Sequence, residues 1–139
     1  MNLKHAIMGI SVCLSLSAAA APTSPEFSSG NDEHWYYIVF SAGDGVLSNQ
    51  GKGLNAVTTV ADPTKPAQLW KFSGTPENFK IINKRNGEYA MMKSNVSATD
   101  DAALAAEFKL VASENPAYAD SWEIEYLGGE SGSNRWHQA

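Results

Sequence analysis

The feature that most constrains this fold is a series of short β-type segments separated by turn-forming residues. Residues 35–40 form an unbroken aromatic and β-branched run, and such side chains suit a pleated, half-buried surface. Six apolar residues in succession indicate burial on both faces of a strand, as in a closed barrel or a sandwich. Turn chemistry follows at Gly43-Asp44-Gly45 and at Asn86-Gly87. We therefore predict an all-β domain.

The order of these segments predicts two units of similar plan. Each unit contains three strands joined by turns and a longer connection, and then a closing Trp-x-apolar strand that begins at Trp70 or Trp122. Residues 105–111 fit both helical spacing and strand alternation, and we favour a strand over residues 107–112 because its neighbours are strands. A third unit begins near Asn134-Arg135-Trp136. The predicted strands cover residues 35–40, 46–47, 54–60, 68–72, 79–82, 88–92, 107–112 and 121–126.

The first 21 residues predict export. A weakly basic start is followed by an apolar run over residues 6–16 and by small residues, which is typical of a secretory signal peptide over residues 1–21. The apolar run is shorter than the roughly 20 residues of a membrane span, so we do not favour the alternative of a retained anchor. Cleavage after Ala20 is favoured over cleavage after Ala21, because Pro22 is a poor residue just after a cut. The expected location is secreted, either extracellular or periplasmic.

Composition excludes several classes of partner. Without residues 1–21 the chain carries nine Lys plus Arg and fifteen Asp plus Glu, with no basic cluster. Nucleic acids and anionic membranes attract clustered cations, so neither is an expected partner. The one cysteine, Cys13, lies in the signal segment, which leaves no thiol for disulfides or thiolate metal sites. Residues 22–33 are predicted to be a flexible leader, and residues 34–139 to be the folded domain.

This pattern resembles a β-trefoil domain of the ricin-B lectin type. The residues that carry the resemblance are Gln68-Leu69-Trp70, which match the Gln-x-Trp (QxW) motif of that family, and the spacing to Trp122. Segments 35–38, 76–79 and 119–124 further resemble lectin-like trefoil domains attached to secreted bacterial polysaccharide-degrading enzymes. The resemblance implies two trefoil units plus the start of a third, with structural roles for Gln68, Trp70 and Trp122.

The chain departs from the family pattern in three places. Asp120-Ser121-Trp122 stands where the second unit would carry Gln-x-Trp, Ala67 takes a place where sugar-binding units often carry asparagine, and the third unit is almost absent. A trefoil closes its barrel with strands from all three units, and an unclosed sheet leaves unpaired edges. We therefore expect a truncated piece of a longer protein, with pairing to another copy as the alternative.

The resemblance implies a non-catalytic carbohydrate-binding module that targets a covalently linked catalytic domain, beyond residue 139, to a glycan or polysaccharide. Sugar sites combine an aromatic face with polar side chains that exchange hydrogen bonds with hydroxyl groups. For Asp44 a turn role competes with the sugar-binding role, and Trp70 and Trp122 are expected to pack in the core. By position, the candidate sugar-binding residues are Asp44, Asn49, Asn55, Tyr89, Asn134 and Trp136.

Catalysis and metal binding have no positive sign in the sequence. His34 and His137 are not in a ligand spacing, and the acidic residues around Asp100-Asp101 do not follow the EF-hand pattern. We therefore predict no catalytic residue, no metal and no cofactor. The alternative function is a structural or protein-interaction domain that keeps the trefoil frame without a sugar site.

Overall fold

The computed structural model describes residues 5–9, 24–39, 45–92, 95–112 and 122–128, with the backbone path alone for residues 5–9. In this part of the chain the protein is all-β, and ten strands form one antiparallel sheet that curls into a half-barrel. None of the described residues belongs to a helix with the length and apolar character needed to cross a membrane. The strands are β1 (His5–Gly9), β2 (Tyr36–Val39), β3 (Val46–Ser48), β4 (Val57–Thr59), β5 (Trp70–Thr75), β6 (Asn78–Asn83), β7 (Tyr89–Met92), β8 (Val96–Thr99), β9 (Phe108–Ala112) and β10 (Trp122–Tyr126).

The main path through the sheet follows the order β10-β9-β6-β5-β2-β3-β4. β1 pairs with β2, while β7 and β8 form a hairpin that joins β6 through the Ile82–Tyr89 pair. β3 and β4 form the corresponding hairpin beside β2. Buried and half-buried positions alternate along β2 and β6, as expected for strands whose successive side chains point to opposite faces.

Three strands, β2, β6 and β10, occupy equivalent places in an internal repeat. Ile38, Ile81 and Ile124 are spaced 43 residues apart in the sequence. All three have 0% exposure. The aromatic residues two positions earlier, Tyr36, Phe79 and Trp122, have the same spacing and pack in or against the same core. One strand pattern is therefore used three times in the described chain.

Strand register shows that β5 and β9 are also equivalent. Phe72 of β5 lies opposite Ile81 of β6, and Leu110 of β9 lies opposite Ile124 of β10. β5 meets β2 at the Tyr36–Trp70 pair, and β9 meets β6 at the Phe79–Phe108 pair. Each of these two strands therefore lies between two members of the repeated set described above.

This register corrects one prediction. Trp122 is not the counterpart of Trp70, because it lies on β10, which begins the next repeat instead of closing the second. The counterpart of Trp70 is Phe108, and Ala106-Glu107-Phe108 stands where the first unit has Gln68-Leu69-Trp70. An aromatic residue stands at this position in both units, since a phenyl ring can fill the interior as an indole does. Alanine takes the place of the glutamine.

The core contains a line of aromatic rings that crosses the sheet. Phe72 packs on Tyr36 with ring centroids 5.6 Å apart and on Phe79 at 5.2 Å, and Phe79 packs on Phe108 at 6.0 Å. Pairs of this geometry add about 0.5–1.5 kcal/mol each beyond the area that they bury. The rings therefore connect β2, β5, β6 and β9 into one core.

Residues 24–33, predicted to be part of a flexible leader, pack on the domain. The Phe27 ring contacts Phe79 edge-on at 5.1 Å and Phe72 at 5.9 Å, and the Ser28 N–H donates to the Phe72 carbonyl at 2.8 Å. His34 contacts carboxylates of Glu26 and Asp32 at 3.0 and 3.1 Å. The partly buried Phe27 ring and the Ser28 hydrogen bond therefore hold this mostly exposed segment against the core.

Three further strands can be compared with the sequence-based expectations. The strand over residues 107–112 is confirmed against the helical alternative, because β9 covers Phe108–Ala112. The sequence missed β8, Val96–Thr99, whose four residues are all buried. Residues 5–9, predicted to lie in a signal peptide, pair with β2 in this structure.

Candidate functional site

Asn49, a predicted sugar-binding residue, is buried. Its side chain is 1% exposed, and its amide nitrogen donates to a Glu88 carboxylate oxygen at 3.1 Å. Its amide oxygen accepts a hydrogen bond from the Gly51 N–H at 2.9 Å. The amide is therefore enclosed and partnered, and it presents almost no surface to solvent.

Asn49 belongs to an inter-hairpin network, which we define as Asn49, Asn83, Arg85, Asn86 and Glu88. The buried Asn83 amide nitrogen donates to the Ala67 carbonyl at 2.9 Å, and its oxygen accepts from the Arg85 N–H at 3.1 Å. Asn86 donates a second hydrogen bond to the Glu88 carboxylate. The network therefore supplies hydrogen-bond partners for buried polar groups where the β3–β4 hairpin meets the β6–β7 turn.

Asn49→Ala is expected to lower the free energy of unfolding by about 1–3 kcal/mol, because the buried Glu88 carboxylate loses one of its two amide donors. Urea denaturation followed by circular dichroism measures the change. Asn55→Ala is the matched control, since that side chain is exposed and its loss should cost no more than about 0.5 kcal/mol. Equal effects of the two variants would contradict the role assigned to Asn49.

The two other described candidates, Asn55 and Tyr89, lie on opposite sides of β8. Asn55 is exposed and forms a backbone bridge with Ser97, while the half-buried Tyr89 pairs with Thr99. Neighbouring strands lie about 4.8 Å apart, so the two backbones are separated by about 10 Å across the sheet. The Lys80 ammonium lies 5.9 Å from the Tyr89 ring centroid. Asn55 and Tyr89 therefore do not form one compact site.

An exposed ion pair lies at the end of β8. The Lys52 ammonium lies 2.9 Å from an Asp100 carboxylate oxygen. This hydrogen bond raises the pKa of Lys52 above its usual value and lowers the pKa of Asp100. Both groups therefore stay charged throughout the neutral pH range, and both are solvent-exposed, where such pairs contribute little to stability.

A second polar and aromatic group, the Trp35 cluster, was not predicted as a site. It consists of Glu33, Trp35, Lys71 and Lys84. The Lys71 and Lys84 ammonium groups lie 5.3 and 5.2 Å from the ring centroid of the half-buried Trp35, and Lys71 also contacts Glu33 at 2.7 Å. Strand alternation is the signal that could have found it: Tyr36 and Ile38 point inward, so Trp35 faces the other way.

The predicted structural residues are buried in the first unit. The Trp70 indole is 1% exposed, and its N–H donates to the Leu47 carbonyl at 2.9 Å. The Gln68 amide accepts from the Asp62 N–H at 2.7 Å and donates to the Val60 carbonyl at 2.7 Å, which holds the segment after β4. Trp122 is half-buried against the core. Asp44, Asn134 and Trp136 lie outside the described residues.

The described residues include two aromatic side chains, Trp35 and Tyr89, that lie beside lysine ammonium groups. Within them, no group of three or more His, Cys, Asp or Glu side chains is arranged to hold a metal ion. The arrangement can stack on an apolar face of a ligand and exchange hydrogen bonds with it. No family model, curated protein or solved structure matches this chain.

Proposed function

We propose that this protein is a secreted, non-catalytic carbohydrate-binding module built on a β-trefoil-like frame. The observation that carries the proposal is a pair of half-buried aromatic residues, Trp35 and Tyr89, each with a lysine ammonium within 6 Å of its ring centroid. The repeated register of β2, β6 and β10 supports the trefoil-like frame. The segment 1–21 supports export, as a signal peptide.

The chemistry of the rings suits a pyranose. An aromatic ring supplies a rigid apolar surface for the C–H face of a sugar, and Tyr89 adds a hydroxyl group. The ammonium groups of Lys71, Lys80 and Lys84 are donors to sugar hydroxyl or carboxylate oxygens, and exposed Asn55 both donates and accepts. Binding of this kind needs no metal and no cofactor. It would keep a covalently linked catalytic domain close to its polysaccharide.

A glycan array on the protein, followed by titration of the best glycan, tests this function. We expect Trp35→Ala or Tyr89→Ala to weaken binding by about tenfold or more, the equivalent of about 1.4 kcal/mol. Tyr89→Phe is the matched control: it keeps the ring and should stay within about threefold of the original affinity. No binding to any glycan, or equal binding by all these variants, would overturn the proposal.

One observation favours a second candidate, a structural or protein-interaction domain without a sugar site. Asn49 is enclosed, and β8 separates Asn55 from Tyr89, so the predicted sugar-binding residues do not converge on one site. A negative glycan array together with a normally folded protein would favour this candidate. The coding sequence that follows Ala139 is a further test, since a hydrolase domain there would support the module.

A further inference from the structure

The sequence contains one Asn-Gly pair, Asn86-Gly87, and this pair lies in the turn between β6 and β7. Both residues are exposed, and Gly87 has φ +74° with no atom within 4 Å of the place that a Cβ would take. Glycine leaves the backbone nitrogen after Asn86 without a neighbouring side chain to shield it, and it widens the range of conformations open to the turn. Asn86 therefore meets the steric requirement for attack on its side chain by its own backbone.

The reaction that this arrangement permits is deamidation, and its only co-reactant is solvent water. The Gly87 nitrogen loses its proton and bonds to the side-chain carbonyl carbon of Asn86. The bond from that carbon to the amide nitrogen breaks, and ammonia leaves. Water then opens the resulting cyclic imide to give aspartate or, when the other ring bond breaks, isoaspartate. A neutral amide is thereby replaced by a carboxylate.

The folded structure restrains both reacting groups. The Gly87 N–H donates to the Asn83 carbonyl at 2.9 Å, so the proton that must leave is held in a hydrogen bond. The Asn86 amide nitrogen donates to the Glu88 carboxylate, and its oxygen accepts from the Glu88 N–H at 3.1 Å. Attack therefore requires the turn to open first, and local opening costs less free energy than unfolding of the whole domain.

The product of the reaction cannot restore these contacts. Aspartate has no amide donor for Glu88, and it brings a second negative charge to a residue that is only 6% exposed. Of the two amide donors to the Glu88 carboxylate, Asn49 alone is left. Like charges at short range repel each other, so the closed arrangement is disfavoured once Asn86 has reacted.

We propose that Asn86 is a self-modification site that deamidates when the inter-hairpin network opens, and that the carboxylate formed keeps the network from closing again. Glu88 is the positioning residue, because its carboxylate holds the Asn86 amide in the turn. The same carboxylate links the turn to the first hairpin through Asn49, so the reaction weakens this link irreversibly. The inference depends neither on sugar binding nor on export.

The rate of deamidation tests the role of Glu88. The folded full chain is incubated in mildly alkaline buffer, and peptide mapping by mass spectrometry follows the reaction at Asn86. We expect Glu88→Ala to react at least about fivefold faster than the original protein, because the loss of one hydrogen bond shifts an opening equilibrium by about that factor. Glu77→Ala removes an exposed carboxylate from the β5–β6 turn and should stay within about twofold. Equal rates for Glu88→Ala and the original protein would overturn the proposal.

Two further measurements keep the test decisive if Glu88→Ala does not fold. In concentrated urea the original protein has no closed turn, so Asn86 should react at least about tenfold faster than in the folded protein. Asn86→Asp supplies the product directly and should lower the urea midpoint. Asn55→Asp adds the same charge at an exposed side chain and should leave the midpoint unchanged. Equal rates in folded and unfolded protein, or equal midpoints for the two variants, would contradict the proposal.

Discussion

Trp70→Ala is expected to lower the free energy of unfolding by about 3–5 kcal/mol, the usual cost of removing a buried indole. The side chain is 1% exposed, and its N–H donates to the Leu47 carbonyl at 2.9 Å, so the substitution leaves a cavity and an unpaired acceptor. Domains of this size have about 5–15 kcal/mol in total, and the variant therefore loses a large part of its stability. Urea denaturation followed by circular dichroism measures the loss.

Trp70→Phe separates the two contributions. It keeps an aromatic ring in the core and removes only the indole N–H and part of the volume, so its cost should be about 1–3 kcal/mol. Phe108 shows that a phenyl ring is accepted at the equivalent position of the second unit. A cost below about 1 kcal/mol for Trp70→Ala would contradict the buried position of this side chain.

Gly74→Ala is expected to be the second most damaging of these substitutions, at about 2–5 kcal/mol. Gly74 has φ +134°, and an added Cβ would collide with the Asn78 carbonyl oxygen and lie 2.9 Å from the Phe79 Cα. The obstacles are backbone atoms of the paired strand, which cannot move aside without breaking the β5–β6 ladder. Steric overlap and backbone strain each add about 1–3 kcal/mol.

Gly87→Ala is the matched control for Gly74→Ala. Gly87 also has a positive φ, +74°, but an added Cβ meets nothing within 4 Å. Only the conformational cost of about 1–2 kcal/mol remains. Equal losses of stability in the two variants would show that the tight approach of β6 to Gly74 does not decide the outcome.

Segments with large alternating side chains were predictable from the sequence. β2 is an unbroken run of aromatic and β-branched residues, and in β5 and β6 such residues alternate for the most part with polar or small ones, so pattern and propensity agree. β8 was not predictable in this way. Its sequence, Val-Ser-Ala-Thr, has one large apolar residue, and the burial of all four residues comes from packing against neighbouring segments.

The positions of strands were easier to predict from the sequence than the pairing between strands. Trp70 and Trp122 look alike in the sequence, since each begins a Trp-x-apolar strand, yet the register assigns Phe108 as the counterpart of Trp70. The candidate site shows the same limit. Asn49 and Asn55 are both asparagines near turns, and only the contact with Glu88 distinguishes an enclosed amide from an exposed one.

The repeated register has a consequence for engineering. Trp70 follows Tyr36 by 34 positions in the first unit, whereas Phe108 follows Phe79 by 29 positions in the second. The corresponding strand pairs nonetheless stay in step. Connection length is therefore uncoupled from strand order, and the stretches that differ between the two copies are places where foreign peptides can be grafted, or new chain termini introduced, without shifting the scaffold.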